Sequence, residues 1–286
     1  MTGPYVLTFS CVDAVGIVAA VTGLLATREG FILDSQQYAD LGSGRFFMRV
    51  EFRGAGSNFP VDLAGVQAAF APIVSRFAME ARISDTSVKP RFVIAVSQGS
   101  HCLNDLLHRW STGNLAIDVA GVVSNHEAQR RLSEWHGVPF HHLPVSDANR
   151  AEQEAAILQI MAEAGAEYLV LARYMQVLSE DLSAKLAGRC INIHHSFLPG
   201  FKGAKPYHRA HERGVKLIGA TAHFVTSDLD EGPIIEQAVE RVDHRDGVDE
   251  LIRIGRDTEA QVLARAVRWV AEQRVLIDGR KTVVFR

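Results

Sequence analysis

A chain of 286 residues with 47% hydrophobic side chains can bury more than one core, so two domains are expected. Its 30 basic and 33 acidic residues leave a net charge of −3, which excludes the basic surface of a nucleic-acid binder and any electrostatic attraction to an anionic membrane. Three widely separated cysteines, no apolar run long enough to span a bilayer and no basic leader before an apolar stretch predict a cytoplasmic protein with reduced thiols.

From the N-terminus, residues 5–10 (YVLTFS) read as a strand. A helix follows, with apolar positions Val18, Val21, Leu24 and Leu25 and with Asp13 placed to cap it. Residues 31–41 and 45–52 form two strand-like runs joined by Gly42-Ser43-Gly44, a hairpin signal. Residues 61–77 have helical spacing, and 78–83 can close a last strand. The order βαββαβ is that of the ferredoxin-like split unit. With the element D-x-x-G-I-V-A at 13–19, this part of the chain resembles an ACT domain over roughly residues 4–84. The resemblance implies a regulatory unit at 1–84, an amino-acid effector and assembly into a homo-oligomer. Residues 85–90, short, polar and ending in Pro90, read as a linker to a second domain at 91–286.

In that second domain strands and helices alternate. Strand signals at 91–97, 119–124, 140–143 and 168–172 are separated by helical stretches at 102–112, 128–136 and 151–164. This pattern predicts an α/β fold with a doubly wound, mostly parallel sheet, whose ligands lie beyond the carboxyl ends of the strands. A long helix at 247–270 and a hairpin turning at Asp278-Gly279 end the chain.

The chemically dense stretch begins at 191–194 (INIH). Strand alternation puts Asn192 and His194 on one face and Ile191 and Ile193 on the other. A second apolar run at 220–225 contains His223, and an acidic turn carrying Asp228 and Asp230 follows it. An amide, an imidazole and a carboxylate can then meet at the mouth of one sheet. That set suits attack of water or an amine on a carbonyl. Asn192 donates to the developing oxyanion, His194 donates or moves a proton, and Asp230 orients the imidazole or the nucleophile. No Ser, Cys or Thr nucleophile is needed. His223 alone reads as a core histidine; beside this site it reads as a pocket residue that positions Asp230. The paired histidines 141–142 and 194–195 lack any H-E-x-x-H or cysteine cluster, so no metal is expected. Cys102, beside His101 at a helix start, fits a small buried residue better than a reactive thiol. No glycine-rich phosphate cradle follows a strand.

Residues 91–286 resemble the formyltransferase family that uses 10-formyltetrahydrofolate. The carriers are Asn192-Ile193-His194, Ser196-Phe197-Leu198-Pro199, the 219–225 run GATAHFV and the 229–235 run LDEGPII. The resemblance implies that Asn192, His194 and Asp230 form the catalytic set. It also implies that the folate lies against Met175, Gln176, Val177 and Leu178 and against the acidic loop with Asp228, near His223. Lys202, Lys205 and Arg209 read either as contacts for its glutamate tail or as a solvated basic loop. Where an amine-formylating glycinamide ribonucleotide transferase carries Gly-Ser-Asn, this chain has Gly99-Ser100-His101. That difference, the ACT-like unit and the 194–208 segment HHSFLPGFKGAKPYH resemble the hydrolytic members, which release formate and tetrahydrofolate. The expected reaction is therefore hydrolysis of 10-formyltetrahydrofolate as substrate with no cofactor; the alternative is formyl transfer to an amine.

Overall fold

Tyr5, Leu7, Phe9 and Cys11 alternate along the first strand, β1 (Tyr5–Val12), and all four are buried in one core. The computed structural model describes residues 4–198 and 206–286. After β1 come α1 (Ile17–Thr27), β2 (Gly30–Asp40), β3 (Arg45–Gly54), α2 (Leu63–Arg76) and β4 (Glu80–Asp85). The strands form one sheet in the order β2-β3-β1-β4, with β1 antiparallel to both β3 and β4. This is the expected ferredoxin-like arrangement. Phe46, Met48, Val50 and Phe52 from β3 meet Ile17, Val21 and Leu25 from α1 and Val66 and Phe70 from α2 in its core.

The expected cap on α1 from Asp13 is not formed. Gly16 occupies the cap position at φ 95°, a conformation that side-chain-bearing residues avoid, and no side chain caps the helix. Asp13 instead donates its backbone N–H to Gly44 O at 2.9 Å, which ties the first turn to the hairpin.

The second unit runs β5 (Arg91–Val96), α3 (His101–Ser111), β6 (Asp118–Ser124), α4 (Arg130–Trp135), β7 (Phe140–His142), α5 (Arg150–Glu163), β8 (Tyr168–Leu171), α6 (Glu180–Lys185), β9 (Cys190–His194), α7 (Pro206–Arg213), β10 (Leu217–Phe224), β11 (Ile234–Arg241) and α8 (Val248–Ala271). Its seven-stranded sheet has the order β11-β10-β9-β8-β5-β6-β7. Pairs from β9 through β7 are parallel, and β10 is antiparallel to both β9 and β11. The central strands are apolar on both faces, as strands covered by helices on each side must be: Phe92 to Val96 and Leu169 to Val170 are almost fully buried. Strand order reverses between β5 and β8, so a crevice opens where these two strands end, at Ser97 and Arg173.

A two-stranded hairpin, β12 (Val275–Asp278) and β13 (Lys281–Val284), ends the chain. The sequence assigns all of 91–286 to one domain, but Glu272–Asp278 and Val283–Arg286 pack with the N-terminal unit. The reason lies on the polar face of its sheet. Arg49, 2% exposed, pairs with Asp34 at 3.1 Å and Glu51 at 3.0 Å and donates from Nε to Glu272 O at 3.2 Å. Without that carbonyl one donor of a buried guanidinium would be left unsatisfied, at a cost of about 1–3 kcal/mol.

Candidate active site

Strand β9 presents Asn192 and His194 on one face, and β10 runs antiparallel beside it with His223 opposite Asn192 and Thr221 opposite His194. Asn192 Nδ2 lies 3.2 Å from His223 Nε2. His223 Nδ1 donates to Phe224 O at 2.8 Å, so in the neutral ring Nε2 is the acceptor and the amide N–H of Asn192 points to it. His223 is thus fixed by its own backbone and in turn fixes the amide.

Asp230 arrives from the turn between β10 and β11. Its backbone takes φ 58°, which carboxylate and amide side chains tolerate better than most. Two residues on, a Cβ at Gly232 would stand 1.7 Å from Phe224 O, so only glycine lets the turn lie on the end of β10. Phe224 N also donates to Pro233 O at 2.9 Å. The result places Asp230 Oδ1 3.2 Å from His194 Nδ1 and 3.7 Å from His223 Nε2. Burial alone would raise the Asp230 carboxyl, but the hydrogen bond from His194 outweighs it and holds the group well below the usual carboxylate range. A carboxylate only accepts, so His194 Nδ1 carries the proton. Its other nitrogen, Nε2, is buried and has no hydrogen-bond partner among the described residues.

A second group of polar residues stands beside this trio. Arg173, at the end of β8, bonds through Nη1 to His195 Nδ1 at 2.7 Å and through Nε to Glu259 Oε2 at 3.3 Å. Glu259 is 1% exposed on α8 and also accepts from His101 Nε2 at 2.8 Å and Tyr207 Oη at 2.7 Å. Burial would raise the Glu259 carboxyl; the His101 bond and the Arg173 charge overcome that and lower it. His195 is pushed down to about 4, by burial first and then by the Arg173 charge. Glu259 is hard to find by inspection, although Leu251, Gly255, Glu259 and Leu263 repeat every four residues on the buried face of α8, a carboxylate set in an apolar stripe. Arg173, His195, His101 and Tyr207 carry no comparable signal.

All of these residues line a cleft of about 890 Å³ in the second unit. Met175, Gln176, Val177 and Leu178 form one side of it, and His223, Asp228 and Asp230 belong to it as well. The loop at 175–178 is anchored from below: Met175 N donates to Ser97 Oγ at 2.9 Å and Arg150 Nη1 to Val177 O at 2.8 Å. Met175 and Val177 stay more than half exposed, apolar surface available to a flat ring. Lys202 and Lys205 lie outside the described residues, as does the glycine- and proline-rich part of the loop after β9.

Among the described residues, His101, Cys102 and Glu259 have metal-capable atoms within 4.8 Å of one another. Glu259 already accepts from His101 and Tyr207 and is ion-paired with Arg173, and burial pushes the Cys102 thiol well up. His101 and Glu259 belong to a hydrogen-bonded cluster, and Cys102 is their buried apolar neighbour.

His195 sets a pH window for stability. Between about pH 6.5 and 4 the unfolded chain protonates at this residue and the folded one does not, so stability falls as pH falls through that range. The slope from one such proton is about 1.4 kcal/mol per pH unit. In urea titrations, His195→Asn is expected to lose this slope relative to the unmodified chain while the two curves run parallel above pH 7. Parallel curves from pH 7 to 4.5 would remove the claim.

Residues 90–267 match the formyl transferase family model. Over 282 residues the chain is 50% identical to a formyltetrahydrofolate deformylase of Corynebacterium sp. (strain P-1), covering 99% of this chain and 98% of the relative. A Bacillus subtilis formyltetrahydrofolate deformylase is 49% identical over 98% of this chain and 93% of its own length. The crystal structure of the formyltetrahydrofolate deformylase from Burkholderia mallei superposes with a TM-score of 0.94 at 52% identity, covering 99% of this chain and 100% of that one.

Proposed function

This chain belongs to the formyltetrahydrofolate deformylase family, and we propose that Asn192, His194 and Asp230 are the side chains with which it hydrolyses 10-formyltetrahydrofolate to formate and tetrahydrofolate. One observation carries the assignment: His194 is held by Asp230 through Nδ1, while its buried Nε2 has no partner among the described residues. An imidazole so arranged keeps a basic lone pair on Nε2, in a residue that lines the cleft.

The steps follow from that geometry. Water loses a proton to His194 Nε2 as its oxygen attacks the formyl carbon, and the carbonyl electrons move onto oxygen. An N–H of Asn192 stabilises that oxyanion, with the amide oriented by His223. The Asp230 carboxylate stabilises the imidazolium. When the tetrahedral adduct collapses, the carbon–nitrogen bond breaks, N10 takes the proton from His194 Nε2, and formic acid gives its own proton to solvent. We place the pteridine against residues 175–178 and the acidic loop at Asp228, which brings the formyl group toward Asn192.

Full-length relatives of the same name favour hydrolysis over transfer to an amine. The test is formate release from 10-formyltetrahydrofolate in chelator-containing buffer with no amine present, since the proposed chemistry uses side chains and water alone. Steady formate production is expected, and Asn192→Ala is expected to lower kcat/KM by about 10²–10³. Retention of more than about a tenth of the rate in that variant would sink the assignment.

We propose further that the N-terminal unit is regulatory and takes an amino acid, and that the chain assembles into a homo-oligomer. Saturating glycine or methionine in the same assay, and sedimentation, test these points; an unchanged rate and a monomer would refute them. No described helix is long and apolar enough to cross a membrane, and Cys11, Cys102 and Cys190 are all free and buried, which suits the cytoplasm.

A further inference from the structure

Beside the reaction centre, half-buried Arg173, His195 and His101 gather around buried Glu259 and Tyr207 in a polar cluster to which formyl hydrolysis assigns no step. Its construction is specific. Arg173 adopts φ 62°, a backbone conformation that a long side chain holds only where its surroundings impose it. A Cβ at Gly255 would sit 2.0 Å from Tyr207 Oη, so α8 is bare just where the tyrosine crosses it to reach Glu259 one turn on. The His195 ring stacks on the His194 ring at 5.0 Å between centroids, so the cluster begins one ring away from the proposed base.

Hydrolysis and formyl transfer differ only in the nucleophile, and the nucleophile is chosen by what stands next to His194. We propose that this cluster is a specificity device: its mutually committed hydrogen bonds wall the formyl centre so that water reaches the carbon and amines do not. The inference rests on the hydrolase reading above. Both Glu259 oxygens accept from within the cluster, and two arms of the Arg173 guanidinium are spent on His195 and Glu259. An amine seeking an acceptor, or an anionic substituent seeking the cation, must break charge-assisted bonds in a buried setting, whereas water needs none of them. Specificity is then achieved by penalising the wrong nucleophile.

The experiment uses the full chain, 10-formyltetrahydrofolate and hydroxylamine, a small neutral nucleophile. Attack by hydroxylamine forms a new carbon–nitrogen bond, breaks the bond to N10, which takes a proton, and yields formohydroxamate in place of formate. The unmodified chain is expected to give formate almost alone. His195→Ala, which opens space beside His194 and releases one Arg173 arm, is expected to raise the formohydroxamate-to-formate ratio about tenfold or more, the change that follows from one lost charge-assisted bond. Tyr207→Phe, which frees one Glu259 oxygen at almost constant volume, is expected to shift the ratio in the same direction and decides the matter if His195→Ala fails to fold. Folded variants that keep the unmodified ratio overturn the proposal, and so does an unmodified chain that already yields mainly formohydroxamate. No formate from the unmodified chain, with or without hydroxylamine, refutes the hydrolase reading itself, a separate result.

Discussion

Replacing His194 by alanine is expected to lower kcat/KM for formate release by about 10²–10⁴ in a chain that still folds, with a lower melting temperature because Asp230 loses its partner. The size of the effect follows from the double duty of one ring. In the forward sequence His194 takes a proton from water and then gives a proton to N10, so its loss affects both formation and collapse of the adduct. The chain still folds without that ring, because β9 is held by β8 and β10 through backbone bonds and by Cys190, Ile191 and Ile193 on the packed faces. The measurement is steady-state formate production beside a thermal melt. A folded His194→Ala enzyme within about tenfold of the unmodified rate would mean that the buried, unpartnered Nε2 moves no proton.

The reaction centre was legible in the sequence because it is built from local rules. Two positions on one strand share a face, and that relation survives any packing; the next apolar run carries His223 beside them and leads into the acidic turn. The N-terminal unit was legible for the same reason, since period-two and helical spacings in βαββαβ order leave few arrangements. What lay hidden depends on contacts distant in the chain. Nothing in the sequence says that Glu259 meets His101 across 158 positions, that Gly232 must be bare because Phe224 O occupies the space of a side chain, or that β10 runs against β9. Asp13 shows the limit of local logic from the other side. Its side chain has the chemistry of a cap, but Gly16 turns the chain in a left-handed conformation and the backbone of Asp13 is drawn to the hairpin instead. The place of Glu272–Asp278 in the N-terminal unit escaped because one of its anchors is a buried arginine on β3 that bonds Glu272, a long-range contact that composition does not reveal.

Asp230→Asn is expected to be as damaging as the loss of the imidazole, about 10³–10⁴ in kcat, although it changes almost no volume. The backbone supports the exchange: asparagine enters the left-handed conformation that Asp230 holds at least as readily as aspartate does, so the turn on Gly232 remains in place. The electrostatics do not. In the unmodified chain a carboxylate accepts the Nδ1 proton of His194 at 3.2 Å, which leaves Nε2 basic, and it stands ready to stabilise the imidazolium. An amide can present N–H to that same nitrogen, favour the opposite tautomer and place the proton on Nε2, where it blocks acceptance from water. KM for the folate is expected to change far less than kcat, since the loss falls on the charged transition state and not on the surface formed by residues 175–178. Raising the pH is expected to give no rescue, because the missing charge cannot be restored by deprotonating an amide. If Asp230→Asn kept kcat within about tenfold, His194 would be correctly oriented without a carboxylate, and the proton path through its Nε2 would have to be abandoned.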